Sequence, residues 1–349
     1  MNRAGRLDAA AGTVAGLAAG WLALAIVVWL AGESPRAIAA QLLAGTWGTA
    51  YGAGQVIAKA TTLLLTGAAV DLALRAGLFN IGVEGQLAVA GLVTAIAGSR
   101  LPPGTPAWAA IPAVFAVAVL SGVAWAAVPA LLRARGAHEV ISTIMMNRVA
   151  DAAIGAALAR GVGIPGTSRT LDVVAGARLA RFEALGFTAM RGSAASLAAP
   201  IALGVAGLAA LAVTRTRVGR EAVLAGQAPA ACQAERIPVG RRAALALLVS
   251  GAVAGLAAIG PVLGDKGYYE SGLGAGAGFG GIAVALLARR SFAGLLFAAL
   301  FFGTLEQGGL AINARVPMAV TTIIEAVAIV AVALADVRAR TARTARAAS

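Results

Sequence analysis

Apolar runs of about 20 residues recur along this chain, and that is the length a helix needs to cross the hydrocarbon core of a bilayer. Such runs cover Thr13–Ala31, Thr61–Phe79, Ile81–Gly98, Ala107–Leu132, Val140–Ala159, Ala194–Val213, Ala243–Leu263, the shorter Gly276–Ala288, Ser291–Ala311 and Pro317–Ala335. In lipid every backbone N–H and C=O must be satisfied within the chain, which leaves helices or a closed barrel. Barrel strands would alternate apolar and polar residues over about ten positions, and these runs do not alternate. The expectation is therefore an all-α, polytopic transmembrane bundle of about ten segments, one domain over residues 1–349. Ala37–Ala58 is weaker, carrying Gln41, Trp47, Tyr51 and Gln55, and reads as interfacial or re-entrant.

Charge then orients the bundle. Only 12% of the residues are charged and 60% are hydrophobic, against about 25% charged in a soluble protein. The formal charge of +13 comes from arginines set between the apolar runs. Arg3 and Arg6, Arg133 and Arg135, the Arg215–Arg242 loop, Arg289 and Arg290, and the Arg338–Arg346 tail share one side if ten segments alternate. That side is expected to be the cytoplasm, with both termini on it, so the charge points to a bilayer and not to nucleic acid. The external loop of about residues 160–193 breaks the pattern with Arg160, Arg169, Arg178, Arg181 and Arg191, and long loops follow the rule less strictly. Neither that loop nor the cytoplasmic segment of about 214–242 can hold a core of its own. The energy source is then an ion gradient or another chain.

The most informative stretch is LALRAGLFNIGVEGQLAVAG, Leu72–Gly91. Arg75, Asn80, Glu84 and Gln86 interrupt an apolar region, together with Gly77, Gly82 and Gly85. Polar groups at membrane depth face a bundle interior or a watery cavity, and a broken backbone is tolerated only there. Asn80, Glu84 and Gln86 are thus candidate substrate-pathway residues, joined by Asn147 on the segment that also carries Asp151. A continuous helix would not bring the first three to one face; a break near Gly82 or Gly85 would. Glu84 has a structural alternative, an ion pair with Arg75, although Asp71, four residues before Arg75, is equally placed to take that arginine. Polar amides suit a neutral, hydroxyl-rich solute, which needs donors and acceptors but no counter-charge.

Several chemistries are not encoded. There is no G-x-x-x-x-G-K-[ST] phosphate loop, and the formal G-x-G-x-x-G from Gly276 to Gly281 lies in an apolar segment where small residues serve helix contact. One cysteine, Cys232, and one histidine, His138, give neither a disulfide nor a His/Cys metal set. No cofactor or metal is expected. An intramembrane enzyme would need a nucleophile with a base, and His138 stands alone. An ion-coupled transporter could use Asp71, Glu84 and Asp151, but lacks matching halves.

The loop RTRVGREAVLAGQAPAACQAERIPVGRR at Arg215–Arg242 is richer in alanine than a connection requires. Pro229 suits a first helical turn, so Gln227–Glu235 is expected to form a short helix along the cytoplasmic face. Gly226, Gln227, Ala230, Ala231, Glu235 and Arg236 are its candidate contacts for a partner.

Four segments carry a family resemblance: GLFNIGVEGQLAVAG at Gly77–Gly91, HEVISTIMMN at His138–Asn147, TRVGREAVLAGQAPAACQAERI at Thr216–Ile237, and GFGGIAVALLAR at Gly278–Arg289. In that order they resemble permease subunits of nucleoside and simple-sugar ATP-binding cassette (ABC) importers, in the branched-chain amino acid and ribose permease superfamily. The resemblance implies an ABC ATPase subunit beneath the Gly226–Arg236 segment, a second and different permease subunit, and an extracytoplasmic substrate-binding protein, with ATP hydrolysis outside this chain. Nucleoside is the favoured solute, with a ribose-like sugar as the alternative, in a bacterial inner membrane. Gln227, Cys232-Gln233 and Gly280 depart from the family pattern; at Gly280 an aspartate is frequent.

Overall fold

The structure, a computed structural model, describes residues 32–315, the side chain of Gln233 excepted, together with Leu22, Ala25, Ile26, Val28 and Trp29. The expected segment Pro317–Ala335 and most of Thr13–Ala31 lie outside the described residues. Helices form at Pro35–Gly45 (α1), Ala50–Arg75 (α2), Val83–Arg100 (α3), Ala107–Ala134 (α4), Glu139–Ala157 (α5), Ala198–Arg215 (α6), Arg217–Gln227 (α7), Pro229–Ala234 (α8), Val239–Leu256 (α9), Ala277–Ala288 (α10) and Phe292–Ile312 (α11). Among the described residues there is no strand, only isolated bridges. Among the described residues five helices are long and apolar enough to cross a membrane: α2, α4, α6, α11, and α9 carried on to Lys266 through a π-helical turn at Gly260–Lys266. Alongside them, α3 and α5 include charged residues, and α10 is shorter.

The central helix is α2. From Ala60 to Ala73 it is buried without interruption, as expected of a helix that is apolar all round. It is packed by α6, α9, α10 and α11. Its start differs from the sequence expectation: Tyr51 and Gln55 belong to this spanning helix and not to an interfacial segment. Thr49 caps it by accepting from the Gly52 N–H at 3.0 Å. Gly52 makes that start possible, since a Cβ there would lie 2.3 Å from the Thr46 carbonyl oxygen. The α1 helix folds against the far end of α11, where Gln41 Nε2 donates to the Ala311 carbonyl at 2.9 Å.

The α4 and α9 helices pack backbone to backbone. A Cβ at Gly122 would sit 2.1 Å from the Gly251 carbonyl oxygen, so the two backbones touch as small residues allow in lipid.

Between α5 and α6 the chain folds back on the end of α9. Thr170 N–H donates to the Tyr269 carbonyl (2.8 Å), Val173 N–H to Gly267 (2.7 Å) and Leu179 N–H to Leu263 (2.9 Å). Three of the five arginines that break the charge pattern find acidic partners here. Arg169 and Arg178 both reach Asp172, Arg181 reaches Asp265 at 3.3 Å, and Arg169 also covers the Tyr268 ring. They act as local ion-pair partners, so a count of positive charge overstates what the segment presents to water.

Candidate functional site

The polar island is a break between α2 and α3. Arg75 pairs with Asp71 at 2.6 Å, so the ion pair with Glu84 is not formed, and Arg75 also donates to the Arg290 carbonyl. Gly77 then turns left-handed, with φ +73°. Its N–H bonds to the Leu74 carbonyl, and the Leu78 N–H to that of Ala73. This is the double bond of a Schellman stop, and glycine adopts its left-handed position without strain.

Side chains satisfy the backbone that the break leaves free. Asn80 Oδ1 accepts from the Gly82 N–H at 3.0 Å, while its Nδ2 donates to Gln86 Oε1 (3.1 Å) and to Ser250 Oγ of α9 (2.8 Å). Ser250 donates in turn to the Ala69 carbonyl at 2.6 Å. From α5, Asn147 Nδ2 donates to the Ile81 carbonyl and its Oδ1 accepts from the Gly85 N–H, both at 3.0 Å. The break therefore does bring Asn80 and Gln86 together, with Asn147 alongside.

Glu84 points the other way. Its carboxylate accepts from the Gly276 N–H at 2.6 Å and the Gly278 N–H at 2.7 Å, which places an anion on the positive end of α10. Gly278 is needed for this approach, because a Cβ there would lie 2.5 Å from the Glu84 Cα.

Beyond that junction lies a cavity of about 700 Å³, walled by α2, α10, α11 and the end of α9. Its size falls within the usual range of about 300–1,000 Å³ for small-molecule sites. Gln55, Lys59, Thr62, Asp265 and Glu306 supply polar groups, and Phe279 and Phe302 apolar ones. Lys59 Nζ and Glu306 Oε2 stand 4.0 Å apart, about a quarter exposed. Asn80, Glu84, Gln86 and Asn147 do not line this cavity; Glu84 reaches its wall through Gly276. Sequence reading missed Lys59 and Glu306. Each is a lone charge flanked by apolar helix, the signal that was followed at Glu84. Gly280 also faces the cavity: a Cβ there would be 3.8 Å from Glu306 Oε1, so an aspartate at that position would set a second carboxylate beside the first.

At the opposite end of the break sit α7 and α8, separated at Ala228, with Pro229 opening α8. A Cβ on Gly226 would lie 2.3 Å from the Ala76 carbonyl carbon, and one on Gly77 would lie 2.8 Å from the Gly226 Cα. The α7 backbone thus rests on the residues that end α2. Gln227, Ala230, Ala231, Glu235 and Arg236 are exposed, whereas Cys232 is buried. Glu221 clasps α7 to the start of α9 through Arg242, and pairs with Arg217 one turn earlier on α7 itself (2.7 Å). The Arg217 hydrogen bond, with Arg242 behind it, holds the Glu221 carboxyl below its ordinary value.

A helical membrane bundle that keeps a polar cavity and a broken helix in its interior is built as a transport protein. The chain belongs to the family described as branched-chain amino acid transport system / permease component, whose model matches residues 52–333. It is 33% identical over 324 residues to the guanosine ABC transporter permease protein NupP of Bacillus subtilis, covering 92% of this chain and 90% of that one. It is 32% identical over 290 residues to the glucose ABC transporter permease protein TsgB13 of Haloferax volcanii (80% and 75%). Against the nucleoside ABC transporter permease protein NupB of Lactococcus lactis the identity is 30% over 299 residues (83% and 80%). No solved structure matches. The chain is accordingly a multi-pass permease of the branched-chain and ribose-type ABC superfamily.

Proposed function

We propose that this chain is the transmembrane subunit of an importer that moves a nucleoside into the cytoplasm, with ATP hydrolysed by a partner. The observation that carries this is a continuous line of contact. Gly226 rests on Gly77, the break follows, Glu84 holds the Gly276 end of α10, and Gly276 lines the cavity. An ATPase pressing on α7 and α8 through Gln227, Ala230, Ala231, Glu235 and Arg236 would bear directly on the cavity wall. A second permease subunit and an extracytoplasmic substrate-binding protein complete the proposed assembly, in a bacterial inner membrane. The proposed topology has ten segments: α2, α3, α4, α5, α6, α9, α10 and α11 with Thr13–Ala31 and Pro317–Ala335, both termini cytoplasmic.

The cavity's charges come in pairs, Lys59 with Glu306 and Asp265 with Arg181. This favours a neutral solute rich in hydroxyl and amide groups. A simple sugar is the second reading, supported by the glucose permease relative. Asn80, Gln86 and Asn147 enter the proposal as the joint that lets the wall move, and Glu84 as its link to α10.

The test is uptake of radiolabelled guanosine and glucose into vesicles carrying the complete transporter. ATP on the cytoplasmic side should drive guanosine uptake, and collapse of the ion gradients should leave it intact. Ala231→Glu should abolish both uptake and co-purification of the ATPase while membrane insertion stays normal, since interface hot spots commonly cost about 2 kcal/mol or more. Gradient-driven uptake by this chain alone would overturn the proposal.

A further inference from the structure

The cavity holds two charged side chains whose bonding capacity the fold does not use. Lys59 comes from α2 and Glu306 from α11, with Nζ and Oε2 4.0 Å apart. That is beyond hydrogen-bond length, and among the described residues neither side chain makes a hydrogen bond. Both line the cavity and are partly exposed, so a solute can reach them. Gly280 puts no side chain in front of the carboxylate, and a Cβ there would lie 3.8 Å from Glu306 Oε1. Phe279, the neighbour of Gly280 on α10, lines the same cavity and is 53% exposed. On α2, Gln55 lies one turn before Lys59 on the same face. Its Nε2 donates to the Tyr51 hydroxyl at 2.9 Å, which leaves its carbonyl oxygen for a donor in the cavity.

An ammonium offers donors only, and a carboxylate offers two acceptors side by side. One edge of guanine presents the complement in the same order: the O6 acceptor, the N1–H donor and the 2-amino donor. We propose that Lys59 and Glu306 are the specificity-determining pair of this cavity and select a 2-amino-6-oxopurine nucleoside. Lys59 donates to O6, and the Glu306 carboxylate accepts from N1–H and from the 2-amino group. The inference rests on the nucleoside importer reading and adds which base is taken and which atoms read it. Other solutes use less of the pair. Inosine lacks the amino group and leaves one carboxylate oxygen unmet. Adenosine sets an acceptor at N1, so it cannot engage both carboxylate oxygens. Sugar hydroxyls rotate to act as donor or acceptor and require no fixed pair of opposite charges. The Phe279 ring supplies an apolar face on which a base can stack, and the Gln55 carbonyl is placed to receive a ribose hydroxyl.

The experiment measures uptake of radiolabelled guanosine, inosine and glucose, each at low concentration, into vesicles carrying the complete transporter. Only this chain is changed, so any preference of the other subunits is common to wild type and variants. Glu306→Gln sets an amide donor against the 2-amino group. It should lower the guanosine-to-inosine uptake ratio by roughly tenfold or more, because hydrogen bonds to a charged group are the stronger ones. Lys59→Gln should slow guanosine and inosine alike, since both carry O6, and leave their ratio in place. The ratio does not depend on how much folded protein is present, and a merely structural role for the pair would not move it. A ratio indifferent to Glu306→Gln, or one that falls equally in Lys59→Gln, would overturn the inference. ATP dependence, read in the same vesicles, separates the two readings. ATP-driven guanosine uptake with an unmoved ratio removes the base-reading pair alone. A shifted ratio with uptake driven by an ion gradient removes the ATP-driven importer reading alone. Uptake of glucose with no uptake of either nucleoside overturns the nucleoside reading and this inference together.

Discussion

Two polar groupings in the described bundle, the α2–α3 break and the cavity, are built on opposite terms. Around the α2–α3 break, Asn80, Gln86, Asn147 and Ser250 spend their donors and acceptors on one another and on exposed backbone. In the cavity, Lys59 and Glu306 face each other at 4.0 Å, beyond hydrogen-bond length. The first set is saturated and acts as structure. The second is incomplete, and an arriving solute can complete it. Whether a polar residue inside a membrane protein serves the fold or the ligand is thus read from what its hydrogen bonds already reach.

The sharpest way to break this comparison is at Asn147. Replacement by leucine removes both of its bonds and leaves the Gly85 N–H and the Ile81 carbonyl buried and unpaired. At about 1–3 kcal/mol for each group the loss is about 2–6 kcal/mol. The thermal aggregation midpoint in detergent should fall steeply, and a yield of folded protein equal to wild type would show that the break is not held from α5. Lys59→Gln and Glu306→Gln should behave in the reverse sense. A loose, partly exposed ion pair contributes about 1 kcal/mol or less to stability, so the midpoint should barely move. Solute affinity should fall roughly tenfold, about 1.4 kcal/mol, as read by equilibrium binding. Unchanged affinity would move the solute elsewhere.

The smallest effect is expected outside the membrane, at Glu221, where water can replace a lost partner. Its folded-state value lies below the ordinary one, so its contribution is fully present above the unfolded carboxyl value of about 4.3. That contribution is lost as pH falls through the lowered folded value. The protection factor of the α7 amides, observed exchange divided into the intrinsic rate at each pH, should stay flat from neutral pH to about 5 and fall only below that. Glu221→Gln should flatten the acid limb. A change in protection near pH 6 would assign the clasp to another group.

Much of the fold was legible because its signals are local. Apolar length marked the helices and the glycines with Asn80 marked the break, but the start of α2 at Thr49 was hidden by the polar Tyr51 and Gln55. Pro229 marked the opening of α8. What the sequence could not supply was pairing across distance. Nothing in the chain order says that Glu84 will meet Gly276 and Gly278, whereas the four-residue spacing of Asp71 and Arg75 already offered their pair. Lys59 and Glu306 lie far apart in the chain and became a site only when α2 and α11 were packed side by side. The candidate pathway residues were recognised as special by their cost in lipid, and that cost is the same for a hinge as for a binding site.

The tie between the α5–α6 segment and the end of α9 has a consequence for synthesis. Thr170, Val173, Leu179 and Arg181 take their partners from residues 263–269. When the segment leaves the ribosome those partners have not been made, and α6, α7, α8 and α9 must all be produced first. Through that interval its amides and Arg181 are solvated by water, and the nascent chain carries an unfinished rim. Closure of that rim therefore marks a late stage of biogenesis, reached only after α9 has been threaded into the membrane.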